Sequence, residues 1–242
     1  MSNADELALP SSVALRLKEV SHSFSGNTSE EKDFGERFIL KDVSLELVRG
    51  EVLGVIGRNG VGKTTLLRLM AGILAPTSGQ ILISKGAKCA LLSLGLGFQA
   101  QLSGRDNARL SAMLQGCSAA EASSVLGDIA DFSELGRSFD EPVKTYSTGM
   151  RSRLGFATSL YTAVDILLID EVLAVGDAKF REKAGQALES RILGNQTVVF
   201  VSHAEQQVRQ LCTRAVLLDE GRLTIDSTPD EVFKIYGEKL NK

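Results

Sequence analysis

The stretch GRNGVGKT at residues 57–64 sets glycines at 57, 60 and 62 ahead of a lysine and a hydroxyl. It follows an apolar run and opens a helical pattern. In that setting the glycines let the backbone curl until successive N–H groups face one point. Together with a helix N-terminus they form a nest for phosphate oxygens. Lys63 adds a point charge for the outer phosphates of a nucleotide. Thr64 adds a hard oxygen of the kind Mg²⁺ takes. The candidate nucleotide-binding residues are therefore Gly57, Arg58, Asn59, Gly60, Val61, Gly62, Lys63, Thr64 and Thr65.

A second group lies a hundred residues on. ILLIDE (166–171) is an apolar run ending in two acids. Asp170 falls at the C-terminal edge of a buried strand, where open α/β sheets bind ligands, and can hold the sphere of a Mg²⁺ ion. Glu171 projects differently and suits a general base for an attacking water. His203 closes another apolar run, VFVSH, and reads either as a contact to the outer phosphate or as a structural residue. TYSTGM (145–150) precedes an apolar-periodic run. It reads as a helix N-cap, or as half of a site that a second chain completes.

Composition limits the alternatives. A chain of 242 residues, 43% hydrophobic and 24% charged, fits a soluble globular protein with a sizeable core. The net charge of −3 provides no global field for nucleic acid, which is not an expected partner. Cys89, Cys117 and Cys212 have no paired spacing, and His22 and His203 are the only histidines, so a Cys/His metal site is not expected. No apolar run approaches the ~18 residues of a membrane span. Residues 1–12 contain acids and no basic leader, and read as a loose tail rather than a signal peptide.

The elements that must position these residues alternate short strands with helices, an α/β pattern. Strands are expected at 13–20, 38–47, 50–57, within 76–83, and at 165–170 and 196–203, with a hairpin over 214–227 turning at Glu220-Gly221. Helices are expected from Lys63 to Ala71, through 106–136, after STGM, over 178–192, briefly after His203, and over 228–240, with Thr228 as cap and Pro229 at the first position. Residues 25–36 are polar and acidic and read as a surface connection.

The order phosphate cradle, Tyr-Ser-Thr-Gly-Met, Ile-Asp-Glu, Ser-His resembles the nucleotide-binding subunit of an ATP-binding cassette (ABC) transporter over about residues 13–227. The usual signature of that family, Leu-Ser-Gly-Gly-Gln, is matched here by Tyr146, Ser147, Thr148, Gly149 and Met150. The usual Pro-Thr-Ser-Ala-Leu-Asp after the glutamate is VLAVGD, which keeps only the final acid, Asp177. GFQ…LSGRDN, FDEPVKTYSTGMRSRLGF and DEVLAVGDAKFREK resemble the branch that exports bacterial capsule, lipopolysaccharide O-antigen or teichoic acid.

The resemblance implies a P-loop NTPase (RecA-like) core, an antiparallel β subdomain, and a helical subdomain near 100–163 bearing the signature. A C-terminal helix and tail follow at 228–242. The extra carbohydrate-binding domain of some relatives is not expected. Phe24 becomes the candidate to stack on adenine. Gln99, with Gln101 competing, becomes the loop glutamine that senses Mg²⁺. Arg151 and Arg153 either support the signature helix or form a solvated face. ATP and Mg²⁺ are the implied substrate and cofactor, with Thr64, Gln99 and Asp170 toward the metal and Lys63, Glu171 and His203 catalytic. Two chains are expected head to tail, with Ser147, Thr148 and Gly149 of one facing the cradle of the other. Two permease subunits and a lipid-linked glycan are the implied partners, on the cytoplasmic side of a bacterial inner membrane. The competing expectations are a drug or lipid transporter ATPase, or a non-transport cassette ATPase.

Overall fold

The computed structural model describes residues 9–24, 37–92, 95, 97–170, 176–202 and 204–240. In chain order the elements are β1 (Val13–Phe24), β2 (Arg37–Val48), β3 (Val52–Ile56), α1 (Lys63–Met70), β4 (Ser78–Ile83) and β5 (Cys89–Leu91). Next come α2 (Gly104–Leu114), α3 (Ala119–Ser124), α4 (Leu126–Ser133), α5 (Thr148–Tyr161), β6 (Ile166–Asp170) and α6 (Ala178–Leu193). The chain ends with β7 (Thr197–Val201), α7 (Glu205–Leu211), β8 (Arg214–Asp219), β9 (Arg222–Ser227) and α8 (Pro229–Leu240). The fold class expected from the sequence is α/β, and the structure is α/β. The elements divide into two compact units.

The first unit contains β1–β4, α1, β6–β9, α7 and α8. β1 pairs antiparallel with β2 and β4 in the order β2-β1-β4. The other strands of this unit run β6-β7-β3-β8-β9, parallel from β6 to β8. β9 returns antiparallel through the hairpin. β3 and β7 are buried at every residue, as strands covered on both faces must be. Under these strands Leu53, Val55, Leu66, Met70, Val199 and Val216 are at most 1% exposed. Each such side chain contributes roughly 1.5–3 kcal/mol by leaving water.

The second unit contains β5 and α2–α6. The single helical stretch expected through 106–136 is three helices. Two of the three starts follow from caps: the Ser103 hydroxyl accepts the Asp106 N–H, so α2 starts at 104, and Ser118 with Glu121 forms a reciprocal capping box that opens α3, whereas α4 follows Val125 with no side-chain cap. Phe132 stacks against Phe156, and Phe180 meets both edge-on, which centres the apolar interior of this unit between α4, α5 and α6. Arg191 of α6 donates to the carbonyls of Ser159 (3.0 Å), Leu160 and Thr162 (2.8 Å), satisfying acceptors that the C-terminus of α5 leaves open. Among the described residues no helix is long and apolar enough to cross a membrane.

Candidate active site

In the first unit the register of three strands sets the spacing of the site. Val201 of β7 pairs with Val55 of β3 on one side and with Asp170 of β6 on the other. Asp170 therefore stands level with the end of β3, two strands away. The chain leaves β3 at Gly57, curls, and enters α1 at Lys63. A Cβ at Gly57 would lie 2.4 Å from the Leu218 carbonyl oxygen, so no larger residue fits there. Gly62 caps α1 with φ +111°, in a region that favours glycine.

Lys63 is 8% exposed, and its Nζ donates to the carbonyls of Gly57 (2.8 Å) and Arg58 (3.0 Å). The ammonium is thus held across the mouth of the curl. The Thr64 hydroxyl donates to Asp170 Oδ2 at 2.7 Å, joining the acid and hydroxyl positions that lie far apart in sequence. Beside them is a cavity of about 420 Å³, lined by Asn59, Gly60, Gly62, Lys63, Thr64, Thr65 and Asp170. A larger cavity of about 560 Å³ in the same unit lies away from this chemistry. Four of its charged residues pair with one another, Arg16 with Glu46 at 2.7 Å and Arg214 with Asp226 at 2.6 Å. Of the two, the smaller cavity combines a helix start, a cation and a hydroxyl–carboxylate pair.

Among the described residues no three His, Cys, Asp or Glu gather around a point. The donor set at Thr64 and Asp170 fits Mg²⁺, which takes one or two protein oxygens and completes its sphere with water and phosphate. Glu171 and His203 lie outside the described residues. Phe24 ends β1, and its side chain is likewise outside them.

In the second unit Ser147 is the N-cap of α5, its hydroxyl accepting the Met150 N–H at 3.2 Å. Ser147 and Thr148 are exposed. A Cβ at Gly149 would meet only the Ser147 hydroxyl, at 3.8 Å, so the space in front of this helix start is open. No acid occupies the first turn, which leaves the positive end of the helix uncompensated. Gln99 and Gln101 differ little in exposure, and neither is buried. Gln99 is fixed by its main chain: its N–H donates to Asn107 Oδ1 (2.6 Å), and its carbonyl accepts from Asn107 Nδ2 (3.0 Å). Asn107 also donates to Leu102 and Ser103 and is 1% exposed. Sequence reasoning missed Asn107. The signal was available, because 104, 107, 108, 111 and 112 form one buried helical face that contains an amide. Arg153 pairs with Asp177 and packs over Phe180, whereas Arg151 is exposed.

A family model described as ABC transporter matches residues 40–174, more than half of the chain. The chain belongs to the ABC transporter family. The O-antigen export system ATP-binding protein RfbB of Klebsiella pneumoniae is 38% identical to this ABC chain over 207 residues, 85% of the chain and 84% of that protein. The teichoic acids export ATP-binding protein TagH of Listeria monocytogenes is 38% identical over 82% of the chain. This ABC chain spans only 59% of the TagH length. A dimeric ATP-binding cassette solved in a post-hydrolysis state with ADP and phosphate superposes with a TM-score of 0.70 at 21% identity, covering 89% of the chain and 98% of that structure. A solved ATP-binding subunit of an ABC transporter gives 0.71 at 24% identity, with 93% of each chain covered. At these identities the likeness is one of fold, and it establishes the cassette fold for this ABC chain.

Proposed function

We propose that this chain is the ATP-hydrolysing subunit of a transporter that exports a lipid-linked polysaccharide, of the O-antigen or capsule type, across a bacterial inner membrane. The observation that carries the ATPase half is the Thr64–Asp170 hydrogen bond beside the buried Lys63 ammonium. Those three groups are what a nucleotide triphosphate and its cation need from a protein. The export half rests on the relatives named above and on the replacement of Leu-Ser-Gly-Gly-Gln by Tyr146–Met150.

In this reading the nest at Gly57–Gly62 and Lys63 bind the β- and γ-phosphates. Thr64 and Asp170 hold Mg²⁺, which when bound neutralises charge that develops on the phosphate oxygens. Glu171 orients and deprotonates the attacking water, His203 contacts the γ-phosphate, Phe24 stacks on adenine, and Gln99 responds to nucleotide state. Two copies pack head to tail. The open helix start at Ser147, Thr148 and Gly149 of one copy then meets the γ-phosphate held by the other, with Asp177 beside the shared interface. ATP contacts both copies and so favours the closed pair, and hydrolysis releases it. A separate permease of two subunits transmits closure to the glycan from the cytoplasmic face.

The test is copurification with the membrane protein encoded beside it, followed by ATP turnover with candidate glycan-lipids in vesicles. Stimulation by a lipid-linked polysaccharide is expected. Stimulation only by a drug or a simple lipid refutes the glycan assignment. Turnover unaffected by Lys63→Ala refutes the ATPase assignment.

A further inference from the structure

Tyr146, directly before the Ser147 cap, is 4% exposed. Its hydroxyl donates to the Ser138 carbonyl at 2.5 Å, closing the loop that leads into α5. The same ring covers Gly104, the first residue of α2, where a Cβ would lie 2.2 Å from Tyr146 Oη and 2.9 Å from the Phe139 carbonyl oxygen. Main-chain bonds run alongside: Lys144 N–H to Ala100 O (2.8 Å), Val143 N–H to Leu102 O (2.9 Å) and Gly104 N–H to Glu141 O (3.1 Å). Asn107 binds both main-chain groups of Gln99. A series of bonds and contacts thus runs from Gln99 through Asn107 to Ser103, along the chain to Gly104, and across to Tyr146 and Ser147, all inside one unit.

We propose that Tyr146 is a positioning residue that fixes the Ser147–Gly149 helix start to the Gln99 loop, so that the two shift as one body during the ATPase cycle. The proposal rests on the reading given under Proposed function. A rigid ring with a hydroxyl suits this position because it both reaches the Ser138 carbonyl and fills the space over Gly104. A shorter aliphatic side chain cannot do the two together. The helix start is then aimed by the Gln99 loop and not by its own capping bond alone.

The experiment uses the full chain and compares Tyr146→Leu, Tyr146→Phe, Gly104→Ala and Gly104→Ala/Tyr146→Phe. At saturating ATP, Tyr146→Leu should lose turnover by about tenfold or more, as small misplacements of catalytic groups do. Its KM for ATP and its binding of a fluorescent nucleotide should stay at the wild-type value. Tyr146→Phe keeps the ring and should retain most of the turnover. Gly104→Ala should fall like Tyr146→Leu, and adding Tyr146→Phe should restore part of the turnover, because it removes the nearer of the two oxygens that the new methyl strikes and leaves the Phe139 carbonyl. Wild-type turnover in Tyr146→Leu, or losses at 104 and 146 that simply multiply, overturns the proposal. Amide hydrogen exchange reads the link without any turnover: Tyr146→Leu should accelerate exchange both at 99–104 and at 148–151. Acceleration at 148–151 alone refutes the link. A wild-type chain with no turnover but with paired acceleration refutes the ATPase reading and keeps the link.

Discussion

Arg153 Nη2 lies 2.5 Å from Asp177 Oδ2, so a cation of α5 is paired to the residue that caps α6. Asp177 Oδ1 simultaneously accepts the Phe180 N–H at 2.9 Å. The Phe180 N–H, and then the Arg153 guanidinium, hold the Asp177 carboxyl below its ordinary value of 3.8. Because the folded value is depressed, the contribution of Asp177 is present above that ordinary value and is lost as pH falls through the folded one. Asp177→Asn keeps the cap and loses the ion pair, whereas Asp177→Ala loses both. Thermal melts at neutral pH should therefore rank wild type above Asn and Asn above Ala, with the Asn deficit shrinking at high salt. Equal melting of the Asn and Ala variants would show that the cap contributes nothing.

Gly57→Ala is expected to act through the backbone. The new methyl would press on the Leu218 carbonyl oxygen, which belongs to the neighbouring strand β8 and has nowhere to go. Overpacking of this kind typically costs about 1–3 kcal/mol. A denaturant titration should register that loss together with weakened binding of a fluorescent ATP analogue, while Gly149→Ala, facing open space, should leave the denaturation midpoint unchanged.

Asn107→Ala strips the Gln99 loop of its buried partner and orphans the Gln99 N–H, while the Gln99, Leu102 and Ser103 carbonyls keep main-chain donors from Leu102, Val143 and residue 107. An unsatisfied buried donor costs roughly 1–3 kcal/mol, and a loss of about that size is expected. Asn107→Asp can still accept from Gln99 but cannot donate to three carbonyls, and should be no better. Equilibrium unfolding measures both, and an Asp variant as stable as wild type would mean the carbonyl contacts contribute nothing.

Arg191→Met preserves much of the buried stem and removes the three bonds at the end of α5. Burial depresses the guanidinium below its ordinary pKa, yet the group stays charged at any physiological pH. A loss of about 1–3 kcal/mol is expected for orphaning these acceptors, and Arg191→Lys should recover only part of it, since one ammonium cannot span three carbonyls. Chemical denaturation of the three proteins ranks them.

Burial pushes the Tyr146 hydroxyl up from 10.0 to about 12. For an acid whose folded value is raised, the stabilisation is complete below the unfolded value and disappears as pH climbs through the folded one. Stability should therefore fall between about pH 10 and 12. Burial also raises Cys89 and Cys212 to about 12 from 9.0, so they contribute in the same direction. The Tyr146 share is the part of the alkaline loss in melting temperature that Tyr146→Phe abolishes. An unchanged loss in that variant would assign the whole effect to the thiols.

The cradle was legible in the sequence because everything that makes it is local: glycines that curl, a lysine at the turn, and a hydroxyl opening the helix. Asp170 was legible as a strand end, but its bond to Thr64 was not, since it depends on β7 lying between β3 and β6. The starts of α2 and α3 were written in Ser103 and Ser118, which read as ordinary loop serines until their capping bonds are seen, and the break at Val125 before α4 has no capping side chain to signal it. β5, three residues long, has too few positions to display a period. Arg153 and Arg151 were indistinguishable by type, and only the partner at 177 separates them.

The shared pairing of Val201 with Val55 and Asp170 makes the peptide repeat itself the caliper of the nucleotide site. Sliding β6 by one residue would turn Asp170 to the opposite face and present Ile169 in its place. The distance from hydroxyl to carboxylate is therefore indifferent to which apolar side chains fill β7 and sensitive to how many residues it has. A combinatorial library of aliphatic residues at 198–200 should yield many variants that still bind nucleotide, and a single-codon deletion there should yield none.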